Sequence, residues 1–173
     1  VGADLADELE QAALTQVVPA NLRPSIADAR SDLPAPYTLG CHADTSAVEP
    51  RPCELGDASS DTTVVLVGDS HAAQWVPALD EIAQRRGLRL LSVTKSGCSF
   101  ADGTIRSSVL NRLYTECDEW RANVMVLLAD LRPAAVVVSQ LGPVRLEGAD
   151  PDDPDSAFAA ATRSWRRSSS RSE

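Results

Sequence analysis

Three short runs rich in apolar and β-branched residues punctuate the second half of the chain, at Thr63–Val67, Leu88–Val93 and Ala134–Ser139. Each is bounded by Gly, Pro or polar turn residues and is too short for a helix, which is the pattern of buried, parallel strands. Between them the period becomes helical. Residues from about Ala72 to Arg86 carry Trp75, Leu79, Ile82 and Ala83 at helical spacing and end at the helix stop Gly87, while Pro77 leaves the start of that helix open. A longer helix is expected from about Val109 to Leu131, with Leu113, Cys117, Trp120, Val124, Leu127 and Leu131 on one face. Strand, helix and strand in that order make a βαβ unit, and its repetition predicts an α/β fold with a parallel sheet.

The flanks read differently. From Val1 to about Gln16 the residues Leu5, Leu9, Ala12 and Ala13 form an apolar stripe on an acidic background, the pattern of a helical packing arm. Between Val17 and Asp61 six prolines (19, 24, 34, 36, 50 and 52) forbid long regular elements, so this segment is expected to run over the surface of something else. After the third strand come an acidic, Pro-rich loop over 147–155 and a helix beginning at Ser156 and fading near Trp165. The expected organisation is a helical and Pro-rich arm over 1–61 packing on the core, an α/β core over 62–165 and a disordered Ser/Arg tail over 166–173. A three-stranded sheet is small, and the chain reads as cut short.

The composition narrows the function classes. At 173 residues there is room for one domain with a real core, and 43% hydrophobic with 24% charged residues is usual for a soluble globular protein. No apolar run approaches the roughly 20 residues of a membrane span. A net charge of −9 argues against a nucleic-acid partner, since displacing counterions from phosphates needs a basic face. The one basic cluster, Arg163, Arg166, Arg167 and Arg171, falls in the Ser-rich tail. The four cysteines lack metal-ligand spacing and only two histidines accompany them, so neither zinc nor any other cofactor is implied. Cys41–Cys53 and Cys98–Cys117 close the shortest loops and are the expected disulfides, which places the chain in an oxidising, extracytoplasmic setting; four buried reduced thiols are the competing reading. No signal peptide is visible at Val1, so export would be directed from upstream.

Candidate chemistry centres on Gly68-Asp69-Ser70-His71, directly after the first strand. Two readings are compatible with the tripeptide Gly-Asp-Ser: a helix cap, for which Asp and Ser are preferred residues, or a serine nucleophile set among the free N–H groups of a helix start. The loop Thr94-Lys95-Ser96-Gly97-Cys98 leaves the second strand, and Gln140-Leu141-Gly142-Pro143 the third, at the same C-terminal edge where open parallel sheets bind ligands.

These motifs, together with the lead-in Val18-Pro19-Ala20-Asn21-Leu22-Arg23-Pro24-Ser25, resemble the SGNH domain fused to bacterial acyltransferase-3 membrane proteins of actinobacterial, particularly mycobacterial, type. The likeness extends to about Ser164. It implies a flavodoxin-like three-layer α/β sandwich, and an extracytoplasmic domain that passes an acyl group, acetyl or another short acyl, to a cell-envelope glycan or glycolipid. The implied partners are the acyltransferase-3 transmembrane domain of the same parent protein, the acyl donor and the carbohydrate acceptor, on the outer face of the cell membrane. By the same resemblance Ser70 is the nucleophile and supplies one oxyanion N–H, and Gly97 supplies a second. The position that many relatives fill with Asn falls at Ser139 and Gln140, so a third donor is not supplied. The family's C-terminal Asp-x-x-His, which provides the base, has no counterpart. His71, adjacent to Ser70, is expected to hold the turn or line the pocket; His42 is expected to be a solvated loop residue, and Asp69 a turn residue. Two classes therefore stay open: an O-acyltransferase or esterase domain, and a non-catalytic envelope-binding or scaffolding remnant that keeps the shape without the base.

Overall fold

The computed structural model describes residues 2–14, 17, 20–142 and 146–147. Apart from Glu147, the expected acidic loop, the helix after Ser156 and the Ser/Arg tail lie outside the described residues. The chain divides into two compact units, Val1–Leu33 and Pro34–Glu173. The first contains helix α1 (Gly2–Ala13). Its later turn is organised by Ser25, whose hydroxyl donates to the Asp28 carboxylate at 2.7 Å and accepts from the Asp28 N–H.

The second unit begins with the short helix α2 (Ala35–Thr38) and strand β1 (Cys53–Gly56). Strand β2 (Thr63–Gly68), helices α3 (Ser70–Ala73) and α4 (Val76–Arg86), and strand β3 (Arg89–Thr94) follow. A small hairpin of β4 (Arg106–Ser107) and β5 (Arg112–Leu113) then leads to helix α5 (Thr115–Leu131) and strand β6 (Ala135–Ser139). The main sheet has the order β1-β3-β2-β6; β2 runs parallel to both β3 and β6, and β1 is antiparallel to β3. The three strands read from the sequence are thus joined, among the described residues, by a fourth that the prolines concealed. Pro50 and Pro52 do not exclude β1, because they precede a sheet-edge strand and so remove no ladder donor from it.

The period of two along the strands sorts the core into two clusters. Val65, Val67, Leu91 and Val93 pack with Phe100, Tyr114, Cys117, Trp120 and Val124, whereas Leu66 and Leu90 pack with Ala72, Val76 and Ala83. The sheet lies between α5 and the α3–α4 pair, giving the three layers of a flavodoxin-like fold. Cys98–Cys117 ties the exit loop of β3 to the first turn of α5, and Cys41–Cys53 ties the segment after α2 to β1, with Cα separations of 5.5 and 5.6 Å.

Two helix expectations need correction. The helix predicted over 72–86 is two helices, because Trp75 caps α4 and Pro77 occupies its first turn, where a missing N–H costs nothing. The break shifts the phase of the buried face: Val76 and Ala83 are buried, while Trp75 and Ile82 are 58% and 52% exposed. The long helix starts at Thr115 rather than Val109, since the preceding residues form the β4–β5 hairpin, with Asn111 at φ 53° in its turn.

Candidate active site

Strands β2, β3 and β6 end level, with Gly68 opposite both Thr94 and Ser139. Gly68 is required here. Its φ is 151°, and a Cβ would lie 1.8 Å from the Ser139 carbonyl oxygen, so only a residue without a side chain lets β2 turn this close to β6. Asp69 then caps α3. One carboxylate oxygen accepts from the His71 N–H and the other from the Leu141 N–H, both at 2.8 Å, and the residue is 3% exposed. A single buried carboxylate therefore joins the Ser70 turn to the exit loop of the neighbouring strand.

Ser70 is the first residue of α3 and is partly exposed. Because α3 is only four residues long, it contributes local N–H groups rather than the field of a long helix. Beyond β3 the chain turns at once: the Lys95 N–H donates to the Gly68 carbonyl at 3.0 Å, and Gly97 adopts φ 61° with open space beside its Cα. Among the described residues, neither the Ser70 nor the Gly97 amide takes part in the backbone hydrogen bonds of the turns and loops. One of these amides follows the end of β2 and the other lies in the loop that leaves β3.

His42 departs from expectation. It is half-buried, with Nδ1 2.9 Å from the Thr94 hydroxyl and Nε2 3.0 Å from the Ser96 hydroxyl. Tyr37 lies against it, with ring centroids 4.4 Å apart. Burial pushes the imidazole below its usual pKa, the Asp69 carboxylate opposes that shift and Lys95 adds to it. Burial likewise pushes the Tyr37 phenol up, aided by Asp69. The adjoining Ala43 forms a parallel bridge to Lys95, donating to the Thr94 carbonyl and accepting from the Ser96 N–H, each at 2.8 Å. Lys95 is fully buried. Its ammonium donates to the carbonyls of Asp44 (2.6 Å) and Ala47 (2.5 Å) and stands 5.2 Å from the centre of the Tyr114 ring, and burial pushes its pKa down. The Tyr114 hydroxyl donates to the Ser96 carbonyl at 2.9 Å.

The structure therefore brings Asp69, Ser70, His71, Gly97, Ser139 and Gln140 to one sheet edge together with Thr94 and Ser96 of the expected edge loop, and adds Tyr37, which the sequence reading left aside, and His42, which was expected to be solvated. The available signal was the position of His42 beside Cys41, inside a short disulfide loop that cannot move far from the strand it is tied to. His71 Nδ1 lies 3.5 Å from the Asp69 carboxylate and, like Gln140 Oε1, is buried with no hydrogen-bond partner among the described residues. No hydrogen bond joins either imidazole to the Ser70 hydroxyl among those residues. Nor, among them, does any group of three or more His, Cys, Asp or Glu residues offer a metal site.

A cavity of about 640 Å³ lies elsewhere, between the loop after Phe100, α5 and the middle of β6 at Val136, and none of the strand-end residues lines it. Among the described residues lining it, Arg121 is the one cation, and it is committed to Asp118 and to the carbonyls of Ala101 and Gly103.

Against this geometry, a family model described as "SGNH domain (fused to AT3 domains)" matches residues 40–171. No curated protein and no solved structure matches the chain.

Proposed function

Since the chain belongs to the SGNH domain family whose members are fused to AT3 domains, it is a domain of SGNH hydrolase or acyltransferase type, and we propose that it transfers a short acyl group through Ser70 to a cell-envelope glycan or glycolipid. The observation that carries this reading is a partly exposed serine just past the end of β2, with the Gly97 loop leaving the level end of β3 next to it and, among the described residues, no backbone hydrogen bond from the turns and loops on either the Ser70 or the Gly97 N–H. In this reading the hydroxyl oxygen attacks the acyl carbonyl carbon, the hydroxyl proton passes to a base, and the carbonyl oxygen takes up negative charge between the two amides. Collapse expels the donor's leaving group, and attack by a sugar hydroxyl on the acyl-serine completes the transfer. Losing one such oxyanion donor typically costs about 10²–10³ in rate.

Among the described residues no base is hydrogen-bonded to the Ser70 hydroxyl, and without one acylation is slow and turnover slower still. Two disulfides support an extracytoplasmic setting. No helix among the described residues is long and apolar enough to cross a membrane, so attachment to the membrane is proposed through an acyltransferase-3 portion of a parent protein.

The test is mass spectrometry of the chain after incubation with p-nitrophenyl acetate, with peptide mapping. One acetyl group on Ser70, lost in Ser70→Ala, is expected. An unlabelled Ser70, or label that persists in Ser70→Ala, would overturn the reading in favour of a non-catalytic binding domain.

A further inference from the structure

The loop that carries Gly97 is held by residues from a segment with no strand or helix of its own. Thr94 and Ser96 are two positions apart along the extended continuation of β3, so their hydroxyls point to the same side, and the two ring nitrogens of His42 reach both, at 2.9 and 3.0 Å. Lys95, between them, points the other way and is gripped by the carbonyls of Asp44 and Ala47. Ala43 lies in the middle and bonds the backbone on both sides of Lys95. Residues 42–47 thus hold the turn from both faces. His42 is itself held by the Tyr37 ring and, through its neighbour, by the Cys41–Cys53 disulfide to β1.

We propose that His42 is a positioning residue for acyl transfer, its imidazole fixing the Thr94–Ser96 turn so that the Gly97 N–H is presented beside Ser70. The inference rests on the reading of Ser70 and Gly97 given above. His42 is not the base: both its nitrogens are taken by hydroxyls, and no lone pair is left for the Ser70 proton. A neutral ring has one donor and one acceptor, and the rotating hydroxyls of Thr94 and Ser96 complement either tautomer. Protonation makes both nitrogens donors, so one hydroxyl must reverse. Tyr37 packs against the ring, and the charges that bias it are Asp69 and, from the opposite side of the strand, Lys95.

The experiment compares unmutated chain, His42→Ala, His42→Gln and Ser70→Ala, reading the rate constant and the saturation constant for Ser70 acetylation by p-nitrophenyl acetate. A second readout follows the Gly97 amide by ¹H–¹⁵N NMR as His42 titrates in the unmutated chain. His42→Ala is expected to lower the acylation rate constant about 10–100-fold, less than complete loss of a donor, with the saturation constant unchanged. His42→Gln, whose amide both donates and accepts, should recover most of that loss. The Gly97 resonance should shift with the protonation of His42 and lose that shift in His42→Gln. Acylation of His42→Ala at the unmutated rate while Ser70→Ala stays unlabelled overturns the inference and leaves the assignment of Ser70 standing. Label that survives Ser70→Ala overturns that assignment instead. A Gly97 resonance indifferent to His42 titration overturns the positioning role even if His42→Ala fails to fold.

Discussion

The Ser70 turn and the His42 segment meet at the same sheet edge but are built by opposite means. The first is local: a β-branched strand, a glycine that only a close approach explains, a capping carboxylate and a helix start follow one another within eight residues. The second has almost no regular structure and is fixed by contacts spanning 48 to 54 residues, together with one disulfide. Ser70 is placed by continuity along the chain. The loop that carries Gly97 needs material from elsewhere to hold it still.

The sharpest way to break the first region is Gly68→Ala. The added methyl group meets the Ser139 carbonyl and φ is unfavourable, so a loss of about 4 kcal/mol or more is expected in urea unfolding, with β6 displaced from β2. The second region is broken by the double substitution Cys41→Ser/Cys53→Ser. Opening a 12-residue separation costs about 3 kcal/mol in the chain-entropy model, and Ser70 acylation should fall as well, because His42 loses its tether.

A smaller effect separates the two by pH. The imidazole of His42 has its pKa lowered in the folded chain relative to the ordinary 6.5, so below that value the unfolded chain binds more protons. Its contribution to stability is fully present above about pH 6.5 and is lost as pH falls toward the folded-state value. Denaturant melts across this window should show the decline, and His42→Gln should reduce its slope. Smallest of all is Trp75→Ala, expected within about 0.5 kcal/mol by thermal melting, because the ring is exposed, whereas a buried Trp would cost 3–5 kcal/mol.

That last contrast shows where the sequence was and was not legible. The parallel strands and the turn bearing Ser70 could be read because their signals are contiguous: short apolar, β-branched runs, then Gly-Asp-Ser. The face of α5 was legible for the same reason, and Cys117, Trp120 and Val124 are buried as its spacing predicts. Trp75 and Ile82 were misplaced because Pro77 restarts the helix and resets its phase. β1 was missed and His42 was read as solvated because their partners lie 33–39 and more than 50 residues away. A proline-rich composition describes what the local backbone cannot do, and it is silent about which distant hydroxyls a side chain will find.

The Asp69 carboxylate also constrains the order in which the site can be assembled. One oxygen is satisfied within its own turn, but the donor for the other, Leu141, lies 72 residues downstream and arrives only after β6 has docked beside β2. Pairings of such long range form late, because the entropy of closing the intervening loop is spent before the contacts repay it. A nascent chain that has emerged only as far as the loop after β3 already carries Ser70, Gly97 and the His42 clamp, yet the second oxygen of its capping carboxylate still lacks the Leu141 N–H. Completion of the Ser70 turn therefore waits for β6 to dock beside β2.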